Sequence, residues 1–267
     1  MTRHLLTLIL LLASSLSYGR ELTKCDIPYA PHRSDSYSDE RCRLDINYDD
    51  TAQSRPVVVW FHGGGLTGGS KEIPAELKKS GYVVVAPNYR LLPNVSISEC
   101  INDAAAAVAW TFSNIARYGG DSRKIFVAGH SAGGYLTSMI GLDRKWLAKY
   151  GVEADSIAAL VPYSGQVITH FAHRKLKGVA ETQPVVDEFA PLFHVRPDAP
   201  PYIIITGDAE QELFGRYEEN LYMWRMMKLA GHPDVEIYKL DGYNQGDMAR
   251  PAHHILKQQI TRLTRKK

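Results

Sequence analysis

The sequence predicts an α/β fold, with a mainly parallel central sheet flanked by helices and a cap-like insertion. Two observations support this prediction. From residue 56 onward, short β-branched runs alternate with helical segments, which is the order that parallel strands and crossover helices produce. The chain of 267 residues is also long enough for one large domain with a deep core. We therefore expect a single domain over residues 20–267.

Six short runs are predicted as strands of this sheet. The first, 56–61, is apolar throughout, as expected of a strand that is buried on both faces. The other predicted strands are 82–86, 124–128, 157–162, 202–206 and 235–240. Helices are predicted over 74–80, 102–118, 132–140 and 217–229, followed by a terminal helix that Pro251 opens. Within a polar approach over 20–55, residues 44–48 are predicted as an antiparallel edge strand.

Residues 166–198 form a stretch that is longer than an ordinary connection between elements. Such stretches are usually functional lids or disordered segments, and we interpret this one as a cap-like insertion. Its apolar residues either line an acyl pocket or simply pack the cap onto the sheet, and the sequence favours neither possibility; they are Phe171, Val185, Val186, Phe189 and Phe193.

The N-terminus carries a signal for export. Arg3 and His4 precede an apolar run over 5–16, and small residues follow at the exit. These are the three parts of a secretory signal peptide, so residues 1–19 are predicted to be removed after Gly19. The run is too short to span a membrane comfortably. We expect a secreted or periplasmic protein with no stable membrane anchor.

Composition argues against several classes of ligand. The formal net charge is only +2, whereas nucleic-acid binders carry a strong basic excess on one face. No Cys or His spacing predicts a metal site, and no glycine loop of the nucleotide-binding kind is present. The three cysteines allow at most one disulfide, and the pairings Cys42–Cys100 and Cys25–Cys42 both remain open. The oligomeric state is not predictable.

The segment Gly129-His130-Ser131-Ala132-Gly133 matches the Gly-x-Ser-x-Gly nucleophile elbow. In this motif the serine occupies a sharp, strained turn between a strand and a helix, so its neighbours must lack bulk. The context is right on both sides, because a predicted strand precedes the motif and a predicted helix follows it. We interpret Ser131 as a catalytic nucleophile rather than as part of a chance glycine turn.

A second glycine-rich loop, His62-Gly63-Gly64-Gly65, follows the predicted strand 56–61. Successive glycines let backbone amides approach a ligand without obstruction by side chains. The amides of Gly64 and Gly65, together with that of Ala132, are predicted to bind the oxyanion of a tetrahedral intermediate. A plain glycine turn is the alternative, but two such motifs in the expected order, each after a strand, are improbable by coincidence.

On these motifs the chain resembles the hormone-sensitive-lipase-like branch of the α/β-hydrolases, close to bacterial carboxylesterases of the short-chain, feruloyl or acetylxylan esterase kind. The resemblance covers about residues 40–262, and its segments are 61–65, 88–91, 103–110, the elbow and 215–220. It implies the α/β-hydrolase fold and hydrolysis of a carboxylic ester through an acyl-serine intermediate. It implies no cofactor.

The resemblance also places the catalytic acid just after the strand 202–206. The family's acid usually falls on the third residue after a glycine, which is Glu210 in this sequence. Asp208 is the alternative acid, although it is equally suited to capping the loop. Glu212 is predicted to be a surface charge.

Gln245 occupies the position at which the family carries its catalytic histidine, within Asp241-Gly242-Tyr243-Asn244-Gln245-Gly246. A glutamine amide can hydrogen-bond to Ser131 but cannot take up and return a proton near neutral pH. Other histidines are poorly placed to substitute. His253 and His254 lie past the loop, His170 and His173 lie in the insertion, His62 supports the oxyanion loop, and His130 is expected to point away from the chemistry.

Three interpretations follow. The first is a serine carboxylesterase that has lost its histidine, acting on short acyl esters or on acyl groups borne by a polysaccharide. The second is a binding or regulatory pseudoenzyme that uses the pocket without turnover. The third is a peptidase or amidase on the same scaffold, which the fold alone does not exclude. The remaining site residues are intact, and this favours the first interpretation.

Overall fold

The computed structural model describes residues 20–30 and 35–265 of the chain. It confirms the predicted fold, because these residues form one eight-stranded, mostly parallel sheet with helices on both faces. The strands are β1 (Glu21–Pro28), β2 (Arg43–Asp49), β3 (Arg55–Phe61), β4 (Val83–Pro87), β5 (Gly120–His130), β6 (Ala159–Tyr163), β7 (Tyr202–Thr206) and β8 (Val235–Lys239). The predicted signal peptide, residues 1–19, lies outside the described residues.

The strand order is β1-β2-β4-β3-β5-β6-β7-β8. β2 is antiparallel to both β1 and β4, and the strands from β4 through β8 are parallel to one another. Parallel strands end at the same edge of a sheet, and ligands of open α/β sheets bind beyond that edge. The loops after β3, β5, β7 and β8 are therefore brought together there.

The helices are α1 (Ser36–Arg41), α2 (Ile97–Asn114), α3 (Ala132–Leu142), α4 (Lys145–Ala148), α5 (Phe171–Leu176), α6 (Arg216–Leu229) and α7 (Ala249–Arg265). Alternate residues of the central strands face opposite layers of the core. In β3, Val57 and Val59 pack on the side of α2 and α3, whereas Val58 and Trp60 pack on the side of α7. This period of two explains why the run 56–61 is apolar throughout.

Helix α2 begins five residues before the predicted start at 102 because a capping box fixes its N-terminus. The Ser96 side chain accepts a hydrogen bond from the amide of Glu99, and the Glu99 carboxylate accepts one from the amide of Ser96. The α-helix ends at Asn114, and a 3₁₀ turn continues to Gly119, which adopts the left-handed conformation that stops it.

Two predictions about the elements need correction. Residues 44–48 do form an antiparallel strand, but β2 is not the edge, because the largely exposed β1 pairs outside it. β1 lacks the apolar run that reveals a buried strand. The predicted helix over 74–80 is only one 3₁₀ turn, Ala75–Leu77, preceded by Pro74.

Partly buried hydrogen bonds connect residues 166–198 to α3 and α6. The hydroxyl of Tyr135 on α3 donates to the carbonyl of Phe189 at 2.8 Å. The carboxylate of Glu219 on α6 accepts the amides of Val167 and Ile168 at 3.0 and 3.1 Å. Within 166–198 the regular elements are α5 and one 3₁₀ turn, Pro191–His194.

The described cysteines are free thiols, with Cys25 exposed and Cys42 and Cys100 buried, so neither candidate disulfide is formed. Burial raises the pKa of the Cys100 thiol to about 12, which keeps that side chain neutral in the core. Among the described helices, none is both long and apolar enough to cross a membrane.

Candidate active site

Ser131 lies at the turn between β5 and α3, where the chain reverses sharply. Its backbone has φ 54° and ψ −113°, a conformation that L-residues rarely adopt and that functional sites often hold under strain. The Ser131 amide donates to the carbonyl of Tyr163 on β6 at 2.8 Å, which ties the elbow to the neighbouring strand. The hydroxyl is thereby lifted above the carboxyl edge of the sheet.

Gly133 shows why this turn needs glycine. A Cβ atom added there would lie 2.1 Å from the carbonyl oxygen of Phe61 and 2.8 Å from that of His62. Both contacts are to backbone, so no side-chain movement relieves them. We expect Gly133→Ala to abolish the cooperative unfolding transition measured by circular dichroism. Gly68→Ala, where the added Cβ approaches no atom closer than 3.8 Å, is the matched control, and equal tolerance of both would contradict this account.

The predicted oxyanion loop lies directly against Ser131. A Cβ added at Gly63 would be 3.5 Å from the Cβ of Ser131 and 3.2 Å from Nδ1 of His130. Gly64 has φ 113° and its carbonyl accepts the amides of Thr67 and Gly68, which makes a tight turn after β3. Ala132 is the first residue of α3, where backbone amides have no partner within the helix. The structure thus brings the loop of Gly64 and Gly65 beside the helix N-terminus.

His62 supports this loop as a neutral ring. Its Nδ1 donates to the Gly63 carbonyl at 2.6 Å, and the ring stacks on Tyr89 with centroids 4.4 Å apart. The Tyr89 hydroxyl donates to the His62 carbonyl at 3.0 Å. Burial lowers the pKa of His62 to about 4, so the imidazole is uncharged at neutral pH.

The side chain of Gln245 contacts Ser131 directly. Its Nε2 donates to Oγ of Ser131 at 2.7 Å, while its Oε1 is buried without a partner among the described residues. Its backbone carbonyl accepts a hydrogen bond from Nε2 of His130 at 2.7 Å. The prediction that His130 points away from the site is therefore wrong, because its ring contacts the backbone of Gln245. Its ring bridges the elbow, the oxyanion loop and the base loop, which we define as residues 241–247.

The three carboxylates after β7 have different surroundings. Glu210 is exposed, and its amide donates to the carboxylate of Asp208 at 3.1 Å. Asp208 also accepts the amide of Gly242 at 2.7 Å, and these two backbone hydrogen bonds lower its pKa. The Asp208 amide in turn donates to the carbonyl of Tyr243. Asp208 is thus a tie between the end of β7 and the base loop.

Glu212 is not the surface charge that the sequence predicted. Its Oε1 accepts the amide of Gly207 at 2.7 Å and the hydroxyl of Ser164, while its Oε2 is buried without a partner among the described residues. A Cβ built on Gly207 would lie 3.0 Å from Glu212 Oε1, and 2.5 and 3.3 Å from the carbonyls of Tyr243 and Asn244. The Glu212 carboxylate and the loop that carries Gln245 therefore both lie beside Gly207.

Sequence reasoning missed Glu212 because three carboxylates lie within five residues and their spacing does not separate them. Ser164, whose hydroxyl donates a hydrogen bond to Glu212, lies in no motif of the sequence. It is fully buried with φ 43°, and its carbonyl accepts a hydrogen bond from the buried guanidinium of Arg216. An unusual backbone at a buried serine is visible only in the fold.

The other histidines that were weighed as possible bases either contact groups other than Ser131 or face solvent. His253 on α7 packs on Trp60, and its Nδ1 lies 3.2 Å from the Tyr163 hydroxyl. His170 caps α5 by accepting the amide of Ala172 at 3.3 Å, and its ring stacks on Phe171. His173 packs on Phe189 and His254 is exposed.

The buried neutral histidines predict a loss of stability in acid. Burial lowers the pKa values of His62 and His253 from 6.5 to about 4, so the unfolded chain binds protons in this interval that the folded chain does not. We expect the contribution of these two histidines to the free energy of unfolding, measured with urea, to be constant above about pH 6.5. It should fall by about 3 kcal/mol per histidine between pH 6.5 and 4.

Two neighbouring histidines on α7 provide the test of this pH dependence and its matched control. His253→Leu should flatten part of the slope, whereas the same change at the exposed His254 should leave it unaltered. A free energy of unfolding that does not change between pH 6.5 and 4.5 would contradict the assignment of these rings as neutral.

Two phenylalanine rings lie beside Gly65. The ring of Phe171 would lie 3.2 Å from a Cβ added at Gly65, and it packs on Phe214 with centroids 5.8 Å apart. Phe214 is 43% exposed. Of the five apolar insertion residues, Phe171 thus lies beside the oxyanion loop, whereas Phe193 and Val186 are exposed.

Within the described residues, no group of three His, Cys, Asp or Glu side chains could hold a metal ion.

Comparison with known proteins identifies the relationship. The family model described as BD-FAE matches residues 44–223, which is more than half of the chain. The chain belongs to the BD-FAE family. The matched span contains the oxyanion loop, the elbow and Glu212, whereas Gln245 lies beyond its end.

Similar curated proteins are esterases by name. The chain is 29% identical over 205 residues to the probable carboxylic ester hydrolase LipM of Mycobacterium tuberculosis. This alignment covers 68% of this chain and 47% of LipM. It is 27% identical over 208 residues to Esterase LipC of the same organism, covering 68% of this chain and 52% of LipC. The chain therefore spans about half the length of the curated relatives it matches.

Solved structures agree on the fold. A truncated carbohydrate esterase from gut microbiota superposes with a TM-score of 0.75 at 19% identity, covering 91% of this chain and 96% of that one. Esterase 2 of Thermogutta terrifontis, bound to propionate, superposes with a TM-score of 0.65 at 23% identity, covering 84% and 85%. At this identity the likeness shows the α/β-hydrolase fold.

Proposed function

We propose that this chain is a serine carboxylic-ester hydrolase whose turnover is limited by Gln245. Ser131 is the nucleophile, and the amides of Gly64, Gly65 and Ala132 stabilise the oxyanion. The observation that carries the proposal is the hydrogen bond from Gln245 Nε2 to Ser131 Oγ, 2.7 Å long. It puts an amide nitrogen where a serine hydrolase needs a proton acceptor.

The chemistry follows from what a glutamine can do. Its amide positions the Ser131 hydroxyl, but it cannot accept the proton that leaves when Oγ attacks the ester carbonyl. It is equally unable to activate water for hydrolysis of the acyl-serine. Acylation is therefore slow, and an acyl group once transferred to Ser131 is slow to leave. Esters with a good leaving group are the substrates that react, because the leaving group departs as its anion and the proton from Oγ passes to solvent water.

Glu212 is the carboxylate that we assign as the positioning acid, in place of Glu210 or Asp208. Its second oxygen, Oε2, is buried, and Gly207, whose amide donates to Oε1, lies directly against the base loop. Asp208 is occupied by backbone amides and Glu210 faces solvent. With a histidine at position 245, an ionised Glu212 would orient the ring and stabilise its protonated form.

The substrates proposed are short acyl esters, including acyl groups borne by a polysaccharide. The rings of Phe171 and Phe214 beside Gly65 suit an apolar acyl or alkyl group. The names of the similar proteins, a carboxylic ester hydrolase and a carbohydrate esterase, support the same class. We also propose that the protein is exported, on the N-terminal charge, apolar run and small-residue exit.

The experiment that tests this function is covalent labelling, followed by intact mass and peptide mapping. With excess p-nitrophenyl acetate the chain should acquire one acetyl group, on Ser131, over minutes to hours. Ser131→Ala should acquire none there, whereas Ser138→Ala, which changes a buried serine on α3, should label like the parent. No adduct on Ser131 of the parent, together with no Ser131-dependent release of p-nitrophenol by a Gln245→His variant, would overturn the proposal.

A further inference from the structure

Two side chains in the first turn of α6 bind the backbone of the loop that follows β6, residues 164–168, which we define as the β6 loop. Arg216 Nη1 donates to the carbonyl of Ser164 at 2.5 Å. The carboxylate of Glu219 accepts the amides of residues 167 and 168 at 3.0 and 3.1 Å. Three backbone groups of this loop are therefore bound by side chains of a helix rather than by secondary structure.

Arg216 and Glu219 also form a buried ion pair. Nε of Arg216 lies 3.0 Å from Oε1 of Glu219, and the two side chains are only 1% and 9% exposed. Taking two charges out of water costs free energy that their attraction offsets only in good geometry, and apolar side chains of similar size often stabilise a protein equally well. Stability alone is therefore a poor explanation of this pair, and the loop that it holds offers a better one.

Ser164 is fixed through its backbone. It is fully buried and has φ 43°, a conformation that L-residues keep only where their surroundings enforce it. Its amide donates to the carbonyl of Ile205 on β7 at 2.7 Å, and its carbonyl accepts from Arg216. With both backbone groups bound, the Cα–Cβ bond has a fixed direction, and the hydroxyl donates to Oε1 of Glu212.

The Ser164 hydroxyl helps to set the orientation of the Glu212 carboxylate. It shares Oε1 with the amide of Gly207, which donates at 2.7 Å. Oε2 has no partner among the described residues, so the two donors on Oε1 decide where Oε2 lies. Loss of the hydrogen bond from Ser164 should therefore let the carboxylate turn.

We propose that Arg216 is a positioning residue of the candidate active site: it holds Ser164, and Ser164 orients Glu212. Glu219 takes part by binding the guanidinium and joining it to the start of the insertion. None of these three partners of Glu212 needs to touch the substrate. The inference rests on the proposed function, because that function gives Glu212 its task.

The charge of Arg216 and its positioning role have opposite effects on a histidine at position 245. Burial lowers the pKa of the neighbouring His130 most, while the charge of Glu212 raises it and that of Arg216 lowers it. If Arg216 acted only as a nearby cation, its removal would raise the pKa of an introduced imidazole. If it orients Glu212, its removal lowers that pKa, because the carboxylate no longer faces the ring.

The experiment is an NMR titration of the imidazole at position 245, in full chains that carry Gln245→His and ¹⁵N-labelled histidine. Glu212→Gln sets the scale, and it should lower the pKa of that imidazole by about one pH unit or more. Ser164→Ala and Arg216→Met should each lower the pKa by at least about half as much.

Matched controls make the same changes elsewhere. Ser138→Ala, at a buried position of α3, and Arg225→Met, at an exposed position of α6, should move the pKa by less than about 0.2. If circular dichroism shows that Arg216→Met does not fold, Arg216→Met/Glu219→Gln takes its place with the same expected result, because it removes both charges of the pair together.

Kinetics in the same Gln245→His chains give a second measurement. Ser164→Ala and Arg216→Met should lower kcat for p-nitrophenyl acetate about tenfold or more and change KM less than about twofold, because proton transfer is the step affected. Residues that merely stabilised the fold would lower the melting temperature and leave the imidazole pKa in place.

An imidazole pKa that Glu212→Gln lowers but Ser164→Ala and Arg216→Met leave in place would overturn the proposal, and so would a rise with Arg216→Met. A pKa that Glu212→Gln leaves in place would overturn it too, because Glu212 would then not face position 245. Failure of the esterase proposal is a different result: the Gln245→His chain would form no Ser131-dependent product, while the titration, which needs no turnover, would still show the shifts.

Discussion

Replacing Gln245 with histidine is expected to raise kcat/KM for p-nitrophenyl acetate by a factor on the order of 10³ to 10⁶. Oγ of Ser131 already lies 2.7 Å from the side-chain nitrogen of residue 245, so an imidazole there needs little rearrangement to accept the proton. The base loop is held by His130 and Asp208, whose bonds are to backbone atoms. The substitution should therefore leave the loop in place.

The matched control is Gln258→His, the same change at an exposed position of α7, which should leave activity unaltered. Gln245→His/Ser131→Ala should return activity to the level of the parent. A folded Gln245→His variant that stays inert on a panel of short esters would contradict the assignment of position 245 as the base position. The scaffold would then serve binding alone.

Glu212→Gln is expected to lower kcat by a factor on the order of 10² to 10⁴ when it is introduced into the Gln245→His variant. The substitution keeps the side chain's size but removes the charge that would stabilise a protonated histidine. Because the effect is on proton transfer, kcat should fall far more than KM rises. The lost activity should not be recovered by raising the substrate concentration.

Glu210→Gln is the matched control, two residues away and exposed, and it should change kcat by less than about threefold. Asp208→Asn should lower kcat less than Glu212→Gln does, since its single amide oxygen can still accept the hydrogen bond from Gly242 while the one from the Glu210 amide is lost. A large loss with Glu210→Gln and none with Glu212→Gln would return the acid to the position that the family pattern favours.

Much of the fold was predictable because its signals are local. The apolar run of β3 and the glycines after β3 and β5 reflect burial and close backbone approach, which act within a few residues. β1 was not predictable, because its place depends on pairing with β2 rather than on its own apolar content. The early start of α2 had a local signal, Ser96 and Glu99, that the helix prediction did not use.

The residues of the candidate site likewise differ in whether their signals are local in the sequence. Ser131 and Gln245 were recognised from segments that are continuous in sequence, and the structure brings their side chains into contact. Glu212 was not recognised, because its surroundings come from Ser164 on another loop and from the base loop, each distant in sequence. A carboxylate's role depends on which backbone amides and loops surround it, and no spacing rule states that.

The most direct test of the central claim is the lifetime of acetyl-Ser131. The acetylated parent and the acetylated Gln245→His variant would be freed of excess reagent by rapid desalting and followed by intact mass at pH 7.5. If Gln245 blocks proton transfer, the acetyl group should persist for hours on the parent and leave the histidine variant at least about a hundredfold faster. Equal rates of deacylation in the two proteins would contradict the claim, because some other group would then be activating water.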